Sequence, residues 1–374
     1  MNSLTLQTYI RDQGLDALQT NFGIKLRRHS LFENLVCLKY SQYESPMEET
    51  VVQQCRGIIL DEANNWAVVS YPYDKFFNYG EGNAAVIDWD SAVVQDKLDG
   101  SLMTLYFYKN KWHVQSSGTP DASGEVSLRK VSFAQLFWNV WRELEYSLPL
   151  GHEDYCFMFD LETPYNRIVV QHTKPSLKLH GVRNVKTFVE ESPVPWAQKM
   201  NWHSVQHHPF GSLEALVQQA EQLDPLKQEG FVVCDRYFKR IKLKSSEYVK
   251  LSHIKDGSSY RKLLSVVVNN ESAEFLAYFK ELETLFREIQ AQYVQLISQL
   301  ECEYEKYKHI KEQKDFAIAV KDLPYSGVLF SLRSGKASSV RDYMAGLPIT
   351  KVEQYIDQIT GNKLEDDLNA TVIT

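Results

Sequence analysis

Lys97-Leu98-Asp99-Gly100-Ser101 is the stretch on which the reading of this chain turns. A short apolar run, Ala92-Val93-Val94, precedes it. An aromatic and β-branched run, Leu102 to Tyr108, follows and stops at Lys109-Asn110-Lys111. The pattern predicts a strand, a tight Asp-Gly turn, a second strand, and a hairpin back through Trp112-His113-Val114. A lysine is thereby held at a rigid turn rather than on a mobile tip. Lysine attacks as the free amine, which desolvation or neighbouring cations favour. A lysine beside a turn is also an ordinary surface residue, so the pentapeptide needs company elsewhere in the chain.

Composition narrows the class. The chain has 374 residues, enough for two domains, with 44% hydrophobic and 24% charged residues as in soluble globular proteins. Aromatic residues reach 12%, with 21 Tyr, which suits a β-rich core and base stacking. A net charge of −7 excludes an all-over nucleic-acid coat, so such a partner must meet a local basic face. Cysteines 37, 55, 156, 234 and 302 are far apart and form no C-x-x-C pair, which predicts reduced thiols rather than a disulfide frame or a zinc site. Met1-Asn2-Ser3-Leu4 shows no basic-then-apolar leader, and no apolar run approaches about 18 residues. The expectation is a soluble chain in the cytoplasm, the host cell's if the source is viral.

Periodicity predicts one amphipathic helix over residues 3–20, with Leu4, Tyr9, Leu15 and Leu18 inward. Strands and hairpins follow to about residue 115. Gly57-Ile58-Ile59-Leu60 and Trp66-Ala67-Val68-Val69 flank a turn at Ala63-Asn64-Asn65, and Lys75-Phe76-Phe77-Asn78 lies in a loop after Pro72. Residues 125–147 read as a helix with Leu136, Phe137, Val140, Trp141 and Leu144 on one side. Cys156 to Glu162 reads as a strand, stopped by Thr163-Pro164-Tyr165-Asn166, with Arg167-Ile168-Val169-Val170 as its returning partner. Residues 190–211 read as irregular. Their histidines 203, 207 and 208 are weighed as a metal cluster, with a surface loop preferred. A helix is expected from Ser212 to Leu223.

Glu229-Gly230-Phe231-Val232-Val233-Cys234 opens a hairpin that returns as Phe238 to Lys244. Period-two geometry puts Arg240, Lys242 and Lys244 on one face and Ile241 and Leu243 on the other. Folded about Arg236, the hairpin sets Glu229 opposite residues 242–244. Beyond about 255 the chain turns helical. Phe279, Leu282, Phe286, Ile289, Tyr293, Leu296 and Leu300 form a heptad seam, read as a long helix in a bundle in preference to a coiled-coil dimer.

A lysine nucleophile, carboxylates and several cations on four separated stretches fit attack on a nucleotide phosphate. The carboxylates would hold a divalent ion, since magnesium binds through one or two carboxylates plus substrate phosphates. In order and spacing the chain resembles the covalent nucleotidyltransferases, that is, polynucleotide ligases and mRNA capping enzymes. Lys97-Leu98-Asp99-Gly100-Ser101 looks like their motif I, Glu229-Gly230 like motif IV, and Lys242-Leu243-Lys244 like the K-x-K of motif V. Within them it is most similar to the phage RNA ligase 1 group. Cys55-Arg56-Gly57-Ile58, Lys75-Phe76-Phe77-Asn78, Pro164-Tyr165-Asn166-Arg167-Ile168-Val169, and Lys244-Ser245 followed by Tyr248 carry that likeness, over residues 50–255.

The resemblance implies an α+β fold: an adenylyltransferase domain of antiparallel sheets with helices over 1–254, then an all-α domain over 255–374 that is a possible RNA-specificity module. It implies Lys97 as the nucleophile that takes AMP from ATP. Arg56 and Lys75 would contact the triphosphate, Glu229 the metal (Mg2+ or Mn2+) or ribose, Asp160 the metal, and Lys242 and Lys244 the α-phosphate. Asp99, Gly100 and Tyr248 belong to the matched motifs. Two departures stand out. The motif III acid aligns with Asp160, but Glu162 lies two residues on, on the same strand face. The lysine often found after motif I is replaced near Ser116-Ser117-Gly118.

The expected activity is ATP-dependent joining of RNA 5′-phosphate and 3′-hydroxyl ends by a monomer, through lysyl-AMP and RNA-adenylate, in RNA repair and with nicked tRNA loops as an implied substrate. A GTP-using capping enzyme or a DNA ligase is the competing enzyme; both are normally followed by a β-rich OB domain. A non-catalytic RNA-binding protein with a decayed ligase fold is the third reading, and the intact lysines 97, 242 and 244 oppose it. No G-x-x-x-x-G-K-[ST] loop is present to supply a kinase. From Arg236 to Lys262 stand nine Lys or Arg against Glu247 and Asp256, read as a nucleic-acid path rather than only a solvated face. Arg333, Lys336 and Arg341 form a second cationic cluster.

Overall fold

Antiparallel strand pairing dominates the first two-thirds of the chain. The structure, a computed structural model, describes residues 3–126, 131–165, 168–170, 172–253, 259–278 and 280–360. Asn166, Arg167, Asp256 and Phe279, all singled out from the sequence, lie outside the described residues. The chain divides into two compact units, Met1–Val249 and Lys250–Thr374. No described helix is long and apolar enough to cross a membrane. All five cysteines are free.

The first unit holds three main sheets. A four-stranded antiparallel meander runs through Lys25–Arg28, Leu35–Lys39, Arg56–Asp61 and Ala67–Ser70. A five-stranded antiparallel sheet has the order Glu190–Glu191, Ser176–Asn184, Tyr155–Glu162, Ser101–Tyr108, Lys111–Ser116. Another five-stranded sheet has the order His207–His208, Val93–Lys97, Gly230–Cys234, Arg240–Lys244, Phe77–Asn78, its last pair parallel.

Tyr155–Glu162 is the central strand of its sheet and is buried on both faces, which explains its nearly unbroken apolar run. Phe157, Phe159 and Leu161 point into a core with Phe137 and Trp141 of the Phe133–Glu143 helix. Cys156 and Met158 point the other way, into a core shared with the meander and the N-terminal helices. Asp160 and Glu162 continue that second face past the end of the apolar packing.

Several expectations change. The N-terminal helix is two, Thr5–Gln13 and Leu15–Phe22, broken where Gly14 takes φ +85°. The expected 125–147 helix is confined to Phe133–Glu143; Glu125–Val126 and Val131–Ser132 instead pair as two short strands. Tyr155–Glu162 pairs with Ser176–Asn184 on one side and Ser101–Tyr108 on the other, and residues 168–170 form no strand beside it. Residues 190–211 are ordered as a two-residue strand, the Pro193–Met200 helix and His207–His208. Those last two histidines sit on a strand beside Val93–Lys97, where His208 meets Asp96 at 2.6 Å, rather than on a loop. Among the described residues no group of three or more His, Cys, Asp or Glu is set to hold a metal. Phe77–Asn78 closes a sheet edge instead of lying in a loop.

The second unit is helical throughout its described residues, so no β-rich OB domain follows in them. Its long helix, Glu283–Tyr307, buries Phe286, Ile289, Tyr293, Leu296 and Leu300. That helix packs against Ser259–Val268, Val340–Ala345 and Ile349–Thr360, as a bundle helix does. Arg333 is committed locally: its guanidinium donates to Ile310 O, Lys311 O and Gln313 Oε1 and lies over the Phe316 ring. The second cationic cluster is reduced accordingly.

Candidate active site

Lys97 ends one sheet and Ser101 begins the other. The Asp-Gly turn is therefore not a hairpin: Val93–Lys97 pairs with Gly230–Cys234, while Ser101–Tyr108 pairs with Tyr155–Glu162. The pentapeptide is the crossing between two sheets, and the cleft they form opens at its lysine. Gly100 is required there, since a Cβ would stand 2.1 Å from Asp160 Oδ1 and 2.7 Å from Leu161 O. Gly230, at φ +155°, is equally confined; a Cβ would lie 2.1 Å from Leu243 O.

The strand register explains the cluster. Gly230 lies between Lys97 on one neighbouring strand and Lys244 on the other. Glu229, next to Gly230 and buried, reaches both: its Oε2 is 2.8 Å from Lys97 Nζ and its Oε1 is 3.3 Å from Lys244 Nζ. Arg240, Lys242 and Lys244 alternate with the buried Ile241 and Leu243, so the three cations face the cleft together. The result is a cavity of about 200 Å³ lined by Lys97, Arg56, Asp160, Arg240, Lys242 and Lys244. Leu98, Leu102, Val232, Phe76 and Tyr73 supply an apolar and aromatic wall.

The two candidate acids have different surroundings. Asp160 faces the cavity, and its Oδ1 is buried with no hydrogen-bond partner. Burial pushes its carboxyl up to about 8; Lys97 pulls the other way, and Glu162, Glu229 and Asp99 add to the rise. Glu162 is occupied elsewhere. It accepts from Ser176 Oγ at 2.6 Å, pairs with Lys178 Nζ at 2.8 Å, and has His172 Nδ1 at 4.0 Å.

Asp99 is a buried anchor for the turn. Its Oδ2 accepts from the backbone N–H groups of Val169 at 2.9 Å and Val170 at 2.6 Å, and its Oδ1 accepts the Tyr248 hydroxyl at 2.8 Å. Its carbonyl oxygen lies 2.8 Å from His172 Nε2. Tyr248 is itself buried and has Lys244 Nζ 5.8 Å from its ring centre. The structure thus brings together Lys97, Arg56, Asp160, Glu229, Lys242 and Lys244, with Asp99, Gly100 and Tyr248 beneath them. Lys75 lines an adjoining cleft instead, its Nζ 5.2 Å from the Tyr40 ring centre and 5.3 Å from that of Phe77.

His180, Tyr73 and Arg240 are among the residues of the cavity wall that were not singled out as site residues from the sequence. His180 is the extra residue of a β-bulge: Met158 pairs with Gly181 and Phe159 with Leu179, which turns the His180 side chain into the cavity. Its Nδ1 lies 2.9 Å from the Tyr73 hydroxyl, and burial beside Arg240 brings its pKa down to about 3. Arg240 stacks over the Tyr73 ring at 4.6 Å and donates to Glu190 Oε2 at 2.6 Å. Only Arg240 left a signal in the sequence, by sharing parity with Lys242 and Lys244.

Comparison with known proteins agrees with this geometry. Residues 54–248 match the family model described as RNA ligase, which is just over half of the chain. An RNA ligase of Rhodothermus phage RM378 is 26% identical over 323 residues, covering 69% of this chain and 73% of that one. A protein of Autographa californica nuclear polyhedrosis virus, whose name pairs a polynucleotide kinase with an RNA ligase, is 28% identical over 311 residues. That match takes in 76% of this chain but only 43% of the viral protein, so this chain spans less than half its length. Among solved structures, an archaeal ATP-dependent RNA ligase aligns at TM-score 0.46 and 11% identity, over 78% of this chain and 79% of that one. Naegleria gruberi RNA ligase with ATP and Mn aligns at TM-score 0.34 and 13% identity, over 43% and 51%. On the match that spans both the lysine turn and the Lys242–Lys244 strand, the chain belongs to the RNA ligase family of the phage RNA ligase 1 type.

Proposed function

We propose that this chain seals RNA ends at the expense of ATP, with Lys97 as the nucleophile. The observation that carries the reading is the position of Lys97 Nζ: at the cavity, 2.8 Å from Glu229, and among Arg56, Lys242 and Lys244. In the first step the Lys97 amine attacks the α-phosphorus of ATP. A P–N bond forms, the P–O bond to pyrophosphate breaks, and the amine gives up a proton. The cations offset charge that builds on the phosphate oxygens. In the second step an RNA 5′-phosphate oxygen attacks that phosphorus, and the P–N bond breaks to return Lys97. In the third step a 3′-hydroxyl attacks the activated 5′-phosphorus, a phosphodiester forms, and AMP leaves.

The apolar wall formed by Phe76, Leu98, Leu102 and Val232 suits a nucleobase, with the five cations at the phosphate side. Asp160 fits a divalent cation, Mg2+ or Mn2+. Its buried Oδ1 has no partner, and one carboxylate with substrate phosphates is an ordinary magnesium set. Such an ion would neutralise phosphate charge. Glu229 is committed to Lys97 and Lys244, so its part is to hold the two lysines. Arg56 has a buried Nη1 without a partner and stacks on Phe76 at 5.0 Å, poised for a phosphate oxygen. Lys75, one cleft away, suits the distal phosphates. The 255–374 segment is proposed to serve RNA specificity, and the protein to act as a monomer in the cytoplasm on nicked RNA, tRNA among the candidates.

The test is joining. A 5′-phosphorylated oligoribonucleotide incubated with the protein, ATP and magnesium should become circular or longer, and resistant to phosphatase. Joining with GTP but not ATP, or of DNA ends in preference to RNA, would replace this reading.

A further inference from the structure

Next to the cavity lies a second cleft of about 290 Å³ in the same unit, and the two share Phe76 and Arg240. At its outer edge stands Tyr237, 68% exposed. An aromatic side chain that open is not part of a core. It is also not on a loose tip, because the turn around it is cross-braced. Asp235 Oδ1 accepts from the backbone N–H of Tyr237 at 2.9 Å and of Lys239 at 3.0 Å, and Asp235 Oδ2 accepts from the Asp88 N–H at 3.3 Å. Asp235 N–H in turn donates to Lys239 O at 3.1 Å, and Phe238 N–H to Asp235 O at 3.0 Å. Phe238 takes φ +58°, a left-handed conformation that the braced turn holds in place. Arg236 is fixed on Asp88 at 2.8 Å, its guanidinium 5.9 Å from the Tyr237 ring centre.

The charge around the ring is positive. Lys239 is exposed, and Lys75 lines the same cleft. Its two carboxylates are both engaged: Glu190 with Arg183 and Arg240, and Asp74 with the Tyr71 hydroxyl and, at 3.7 Å, Arg183. A braced, exposed ring beside lysines, continuous with a phosphate-chemistry cavity, is the pattern by which single-stranded nucleic acid is held. Cations follow the phosphates and a π-face takes a base without regard to its identity. Membrane and peptide partners fit less well, because the patch is one ring wide and leads directly to Arg240.

We propose that Tyr237 is a stacking platform for a nucleobase of the RNA strand whose end enters the cavity, with Lys239 taking the adjoining phosphate. The proposal rests on the RNA ligase reading above. It places the strand's approach on the Phe77–Asn78 edge of the sheet, the side that carries the turn.

Binding is measured without turnover, on full-length protein carrying Lys97→Ala, by fluorescence anisotropy of a labelled 5′-phosphorylated oligoribonucleotide. Tyr237→Ala added to that protein should weaken binding about 5- to 100-fold, the range that base–aromatic stacking spans. Tyr237→Trp should restore it. An oligomer made abasic near its 5′ end should bind both proteins equally, since it has no base to stack. Lys239→Ala should flatten the salt dependence of binding. Equal affinity of the Tyr237→Ala protein and its parent for the intact oligomer, with melting unchanged, overturns the platform. So does a loss that persists undiminished on the abasic strand. A wild-type protein that joins RNA while Tyr237→Ala changes no affinity refutes this inference alone. A wild-type protein that binds no RNA and joins none refutes the function as well.

Discussion

The hydroxyl of Tyr248 donates a 2.8 Å hydrogen bond to Oδ1 of Asp99, tying residue 248 to the turn that follows the nucleophile. Both side chains are buried, and the other Asp99 oxygen is taken by the Val169 and Val170 amides. Tyr248 thus acts on Lys97 through Asp99. Tyr248→Phe keeps the ring and removes one charge-assisted bond, so it should cost about 1.5–3 kcal/mol of stability and slow adenylylation. Asp99→Ala frees two amides and the phenol together and should cost more. Urea melts alongside ATP-labelling rates check the order; equal effects of the two variants would break the link.

Asp160 and Glu162 share a strand face but not a task. Asp160→Asn should slow adenylylation at least about 100-fold with little loss of stability, because the group it removes faces the cavity. Glu162→Gln should instead lower stability by about 1–3 kcal/mol, because it loosens the contacts to Ser176, Lys178 and His172. Single-turnover labelling and denaturant melts on the same preparations separate them. Greater catalytic loss in Glu162→Gln would make Glu162 the functional acid.

The parts legible in the sequence were those set by local chemistry. Alternation in Arg240–Lys244 foretold three cations on one face, and Glu229 opposite residues 242–244 followed from folding the hairpin. Long-range pairing was not legible. Strand, Asp-Gly turn and strand read alike whether the strands pair with each other or enter different sheets, and here they enter different sheets. Val169 and Val170 looked like a strand because they are apolar; they are buried by giving their N–H groups to Asp99 instead. His180 faces the cavity only because a bulge shifts its parity, and no local pattern marks that bulge. His207–His208 is a two-residue edge strand that exists through its partner Val93–Lys97.

His180 gives a pH dependence of known sign. Its pKa falls from the ordinary 6.5 to about 3 on folding, so between those values the unfolded chain binds a proton that the native chain does not. Its contribution is therefore full above pH 6.5 and declines as pH falls toward 3. His180→Asn should be less sensitive than wild type to acid between pH 6.5 and 4, in stability measured by urea melts. Parallel curves for the two proteins would show that His180 does not titrate as placed.

The helical segment carries no residue of the proposed chemistry. Removing residues 255–374 should leave Lys97 labelling largely intact and weaken joining of structured, tRNA-like ends, with short single-stranded ends affected less. The full chain's advantage should shrink as salt rises, since each neutralised phosphate releases counterions. A shortened protein that melts cooperatively and joins both substrates as the full chain does would remove the RNA role. One that aggregates or loses labelling would make the segment a structural support instead.

The most direct measurement of the central claim is covalent labelling without RNA. Protein is incubated with α-³²P-ATP and magnesium, denatured, and mapped by peptide mass spectrometry. The account requires an acid-labile AMP adduct on Lys97, poor labelling by GTP, and no adduct in Lys97→Ala. An adduct on another residue, or one that survives Lys97→Ala, would contradict it.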